Sequence, residues 1–254
     1  MVAAASAAGA AHAQDAPICT DRPAKANAVC TVPAGRVQLE TAAVDWSLTG
    51  PSGSRTELFT VGASYAKLGL SDASDVEIGF TPYVVSTTRG AAGSRASGIG
   101  DAVVRYKQRL TAADARVQVA VIPFVKLPTA AHGLGNGAVE GGLAVPLGFT
   151  LSGQVTMTFG PELDVLAGPT GKGRHLALAN LVNLSAPIAP RLTVSGELWS
   201  NVSFEPGRRV TQASADAALA YALSKTAQLD LGANLGLTAA TADVEGYAGL
   251  SLRF

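Results

Sequence analysis

Charge is what this sequence has little of: 15% of its 254 residues are Asp, Glu, Lys or Arg, where a soluble domain carries nearer ~25%. The water-facing surface available to a chain of this size is correspondingly small. Long apolar runs are missing too. No stretch of about 18 apolar residues follows the N-terminus, which excludes helical membrane spans. The 19 basic and 19 acidic residues cancel, and no basic patch is interleaved with aromatics, so a nucleic-acid partner is not expected. Histidine is reduced to His12, His132 and His175. Catalysis needs a nucleophile beside an oriented base, yet no His-x-Ser occurs, because His175 is followed by Leu176 and Ala177. The chain is therefore not read as an enzyme. The two cysteines have no His or second Cys pair near them to complete four ligands, so neither a metal nor a cofactor is expected.

What the chain does have is alternation. In the last stretch, Val244, Gly246, Ala248, Leu250, Leu252 and Phe254 share one parity without a charge, and Glu245, Tyr247, Gly249, Ser251 and Arg253 share the other. Successive side chains of a strand point to opposite faces, so this segment has one apolar and one polar face. The same sorting recurs in the segments read between residues 74 and 254, where each charged residue stands opposite the Val, Leu, Ile and Phe parity. An Arg or Lys facing lipid at mid-bilayer costs ~2 to 4 kcal/mol, enough to enforce that pattern. Two earlier strands are less regular. In 37–48 the apolar parity moves from Val37 and Leu39 to Val44, Trp46 and Leu48, which a bulge near Thr41–Ala43 accommodates. In 56–68 the outward set reads Phe59, Val61, Ala63 and Tyr65, with Glu57 and Lys67 placed to reach the headgroups.

Together these segments predict an all-β fold: a closed antiparallel transmembrane β-barrel of about 12 strands over residues 36–254, with long extracellular loops and short periplasmic turns. Closure removes the edges that would leave unpaired backbone groups in hydrocarbon. Residues 1–13 read as the remnant of a signal peptide, with Ala11-His12-Ala13 as the cleavage site. Residues 14–35 form a periplasmic N-terminal segment in which Cys19 and Cys30 close a short disulfide loop, the bridge shaping a cap or plug.

The inward parity carries an uneven charge. Arg105, Lys107 and Arg109 stand on one strand and Lys126 on the next, while Glu162, Asp164, Glu197, Asp216 and Asp230 come from later strands across the barrel. Such a separation sets a transverse field in the lumen. The alternative is that these charges pair and fill the interior, since a barrel of this size either holds a channel or is packed shut. Tyr83, Phe124 and Trp199 are the candidate aromatic contacts for a passing solute.

These residues also carry a likeness. Cys19-Thr-Asp-Arg-Pro23, Cys30-Thr-Val-Pro-Ala-Gly35, Gly98-Ile-Gly-Asp101, Ile122-Pro-Phe-Val-Lys-Leu-Pro128, Gly135-Asn-Gly137 before Glu140-Gly-Gly142, Gly160-Pro-Glu162 and Asn180-Leu-Val-Asn-Leu184 resemble the bacterial family named for a MetA pathway of phenol degradation. The resemblance implies an exported outer-membrane barrel that admits aromatic or other small hydrophobic compounds. Phe254 at the chain end resembles the signal read by the barrel assembly machinery. The expected partners are thus outer-membrane lipid, that machinery and a small-molecule solute. Three readings follow: a passive channel or uptake protein, a structural barrel with a closed lumen, and, weakest, a lipid-acting enzyme.

Overall fold

A computed structural model describes residues 16–51, 53–90, 93–168 and 171–254; the expected signal remnant lies outside them. One closed antiparallel sheet contains β1 (Val37–Thr49), β2 (Arg55–Ser71), β3 (Ser74–Phe80), β4 (Tyr83–Arg89), β5 (Ser94–Gly98), β6 (Ala102–Arg109), β7 (Val117–Leu127) and β8 (Glu140–Ala144). It continues through β9 (Leu147–Thr150), β10 (Thr156–Phe159), β11 (Glu162–Ala167), β12 (Arg174–Ala189), β13 (Leu192–Glu205), β14 (Arg208–Ser224), β15 (Ala227–Gly236) and β16 (Val244–Arg253). Four spans are broken in two. β3 with β4, β5 with β6, β8 with β9 and β10 with β11 are halves of single strands, which makes twelve strands in the wall. β1 closes the ring by pairing with β16 on one side and β2 on the other. The Phe254 N–H donates to the Val37 carbonyl at 2.8 Å and completes the seam, leaving the terminal ring exposed on the outside.

Three of the breaks fall at Pro82, Pro146 and Pro161, where the ladder loses a donor. The four breaks are laterally aligned in pairs. The Gly100 N–H reaches the Thr81 carbonyl at 2.9 Å, and the Val145 N–H reaches that of Pro161 at 2.9 Å. The wall from β3 to β11 is therefore creased, whereas β12 to β16 run uninterrupted.

The faces are sorted as an inverted globule. Leu176, Leu178, Val182, Leu184, Leu198, Leu229 and Leu231 are exposed on the outside, while Gln38, Glu40, Glu77, Lys107, Glu197, Asp216 and Asp230 are buried within. In β1 the register slips between Ala42 and Val44, where the shift of apolar parity requires a bulge. A second irregularity was not legible. Gly62 adopts φ +71°, and a Cβ there would stand 3.4 Å from the Pro82 ring at the neighbouring break. A one-residue slip moves every residue beyond it to the other face. Phe59 and Val61 stay outside, but Ala63, Tyr65 and Lys67, expected outside, turn inward, and Lys67 is 3% exposed. On the partner strand Tyr83, expected in the lumen, sits opposite Val61 on the outer surface and is 45% exposed.

Connections at the end where β1 begins and β16 finishes are residues 72–73, 110–116, 151–155, 190–191 and 225–226. The opposite end carries the longest loop, residues 128–139, and is called the loop end below. Its β13–β14 connection shrinks to residues 206–207 because those strands continue as a hairpin.

Candidate functional site

From the sequence, residues 14–35 are expected in the periplasm, with the disulfide shaping a cap or plug. Of the described residues, Asp21 to Ala26 reach the wall inside the barrel, Ala16, Pro17, Cys19, Ala34 and Gly35 are exposed at its rim, and the Cys19–Cys30 disulfide closes the loop. The segment is threaded through the uneven lumen charge. On the basic side, Asp21 Oδ2 accepts hydrogen bonds from Lys67 Nζ at 2.5 Å and Arg105 Nη2 at 2.7 Å, and its Oδ1 accepts from Lys107 Nζ at 2.8 Å. Burial opposes charge on Asp21, but Lys107, Lys67 and Arg105 outweigh it and hold the carboxyl well below the usual carboxylate range. Glu40 Oε2 accepts from the Asp21 and Arg22 N–H groups at 3.0 and 3.3 Å, and Asp75 caps the Val32 N–H at 2.9 Å.

On the acidic side the polarity is reversed. Arg22 forks onto both oxygens of Asp230 at 2.6 and 3.2 Å and lies 5.7 Å from the Tyr247 ring centre. Lys25 Nζ meets Asp216 at 2.6 Å and lies 5.4 Å from the ring centre of Trp199. The two Glu197 oxygens accept consecutive backbone N–H groups, from Lys25 at 3.1 Å and Ala26 at 3.0 Å. An acid followed by two bases thus bridges the Lys67, Arg105 and Lys107 cluster, which also holds Glu40, Asp75 and Glu77, and the wall of Glu197, Asp216 and Asp230. Charge-assisted contacts of this kind, in a low-dielectric interior, fix position strongly.

The remaining inward residues flank this segment. Arg109 donates to the Asp72 carbonyl at 2.6 Å and lines a cavity of about 370 Å³ beside Ala16, Cys19 and Cys30, at the end where β1 begins and β16 finishes. Toward the loop end, Lys126 bridges Asp101 at 3.1 Å and Glu140 at 3.0 Å, and Asn136 of the long loop hydrogen-bonds both Lys126 and Glu140. Two loop-end cavities, about 330 and 300 Å³, share Asn27, Tyr65, Val103 and Arg105. The smaller includes Ile122, Phe124 and Leu166 together with Glu162 and Asp164. Neither shares a lining residue with the cavity at Arg109. The N-terminal segment borders all three, with Asp21 to Asn27 on the loop-end side and Ala16 to Cys19 and Cys30 to Pro33 on the side of Arg109.

Phe124 and Trp199 face inward, the latter in a smaller cavity with Lys25 and Glu162. Tyr83 does not, for the reason given above; Tyr65 takes an inward place instead, with the Arg105 guanidinium 4.1 Å from its ring centre. Sequence reasoning missed Asp21, Arg22, Lys25, Glu40, Lys67 and Glu77. The available signal was the run Asp21-Arg22 with Lys25 inside a disulfide loop, a charge density out of keeping with the rest of the chain.

The model of the family described as "Putative MetA-pathway of phenol degradation" matches residues 20–254. The chain belongs to this family. The match spans the lumen segment from Thr20 onward as well as the wall, so in this family member both parts fall within the shared sequence. No curated protein matches the chain. Among solved structures, the translocator domain of autotransporter NalP from Neisseria meningitidis is 14% identical over 87% of this chain and 89% of that one, with a TM-score of 0.44. A loop L8 deletion mutant of OmpT, an outer membrane protein of Vibrio cholerae, is 9% identical over 86% of this chain and 99% of that one, with a TM-score of 0.47.

Proposed function

We propose that this protein is an outer-membrane uptake channel for small aromatic or hydrophobic compounds, closed at rest by its own N-terminal segment. The observation that carries the reading is the zwitterionic fit of Asp21, Arg22 and Lys25 to Lys107, Asp230 and Asp216. The segment meets the wall through ion pairs and hydrogen bonds, contacts that water can replace when the segment moves. A barrel whose only task was to stand in the membrane would gain more from an apolar filling, because ion pairs buried away from water recover little beyond their desolvation cost. Phe124, Ile122 and Leu166 supply the apolar lining that a ring-bearing solute requires. In this reading the chain ends face the periplasm and the loop end faces outward.

The test is a swelling assay on proteoliposomes with phenols, sugars and amino acids, paired with conductance in planar bilayers. Entry of phenols ahead of sugars, with rare conductance steps that become frequent in a variant lacking residues 16–35, is the expected result. Absence of permeation in both proteins would replace the channel by the structural barrel.

A further inference from the structure

We infer that the loop-end cavity behind Phe124 is a binding site for a small organic cation, an ammonium group carried on an apolar or aromatic body. The inference rests on the channel reading for its physiological meaning and narrows its solute class.

The cations nearest this cavity are already engaged by other acids. Arg105 is committed to Asp21 and Glu77, Lys126 to Asp101 and Glu140, and Lys25 to Asp216. Glu162 and Asp164, two residues apart on β11 and on the same inward face, have no ion-pair partner among the described residues. Asp164 is 7% exposed, and its Oδ1 accepts no hydrogen bond from any described residue. A buried carboxylate oxygen without a donor is costly and is normally satisfied by something.

The surroundings are shaped for a ligand. Gly142, on the adjoining β8, has no side chain to offer, and a Cβ there would overlap Asp164 Oδ1 and stand 2.8 Å from Phe124 Cζ. The glycine thus lets the carboxylate and the ring edge meet at one point. Ile122, Ala144 and Leu166 complete an apolar wall, and the cavity measures about 300 Å³, the lower end of small-molecule sites. An ammonium supplies the donors and the charge that Glu162 and Asp164 lack, while Phe124 offers apolar contact to the ligand body. Glu162 also borders the neighbouring cavity of Trp199, which places a fluorescent reporter beside the site.

The test measures binding to the detergent-purified full chain carrying Trp46→Phe, so that Trp199 is the only tryptophan. Three ligands of one shape are compared: phenethylamine, 2-phenylethanol and phenylacetate. Phenethylamine is expected to bind at least tenfold more tightly than either of the others, and Glu162→Gln with Asp164→Asn to abolish that preference. Equal binding of the three, or tighter binding of phenylacetate, overturns the inference from the parent protein alone, without reliance on how the double variant folds. A protein that binds phenethylamine but admits no solute into liposomes would sink the channel reading and leave this one standing. Permeation of aromatics without preference for charge, together with equal binding, would do the reverse.

Discussion

Asp21→Asn is nearly isosteric and removes one charge, so its effect isolates what the acid contributes to holding the lumen segment in place. Three cations converge on Asp21, but they do not lose equally. Lys67 keeps Glu40 at 2.6 Å and Arg105 keeps Glu77, whereas Lys107 is left with Glu77 at 3.5 Å. Leaving one buried charge without its partner costs about 3 to 5 kcal/mol. Since all three cations retain an acid, Lys107 at the longest distance, the lower figure applies. At 1.4 kcal/mol per factor of ten, the population with the segment released should rise about 100-fold. The assay is open probability in planar bilayers, with Asp114→Asn, an exposed acid in the 110–116 turn, as the charge-matched control. Heat-modifiable gel mobility reports that the barrel itself is intact. An open probability for Asp21→Asn equal to that of Asp114→Asn, in a folded barrel, would refute the idea that this charge latches the segment.

The same residue sets a pH response. Because the docked carboxyl is held below its ordinary range of about 4, its contribution is fully present above that range and is lost only as pH falls through the lower, docked value. Conductance governed by Asp21 should therefore be flat from pH 8 to pH 5 and rise only under stronger acid; a rise centred near neutrality would contradict this assignment. Replacing Cys19 and Cys30 by Ser frees the loop they close, which in the chain-entropy account is worth about 3 kcal/mol, so open probability should again rise, and the reduced parent protein should match the variant. Leu198→Arg places a guanidinium at mid-strand on the outer face, where Leu198 is 63% exposed. Urea unfolding in lipid vesicles should register a loss of about 2 to 4 kcal/mol, and an unchanged midpoint would mean that this face does not meet lipid.

How much could be read from the sequence divides along a physical line. Inside and outside were legible because lipid penalises charge, and that penalty is written residue by residue: Glu197 buried between Gly196 and Leu198 is a local fact. The β1 bulge was legible for the same reason, since the apolar parity changes within the strand. Gly62 and Pro82 were not. A glycine in a strand does not announce whether it bends the backbone, and that single event carried Lys67 inward and Tyr83 outward. The wall partners of the lumen segment were hidden for a different reason. Its order comes from partners far along the chain, and a coil has no periodicity to reveal which wall its charges will meet. The separation of lumen charge could be anticipated from Arg105 and Lys107 against Asp216 and Asp230, but not that Asp21, Arg22 and Lys25 would answer it in sign.

Arg22 and Asp230 are 208 positions apart, and the Arg253 side chain donates to the Ala16 carbonyl across the seam. Part of the lumen segment is thus fastened by the last strands of the ring. A ribosome that stopped short of β15 would release a chain whose Arg22 had no carboxylate to grip, and whose opening residues stayed loose for proteases to find. Docking of Arg22 then arrives only with completion of the ring, so that a half-built protein and a finished one differ in whether this side chain is held.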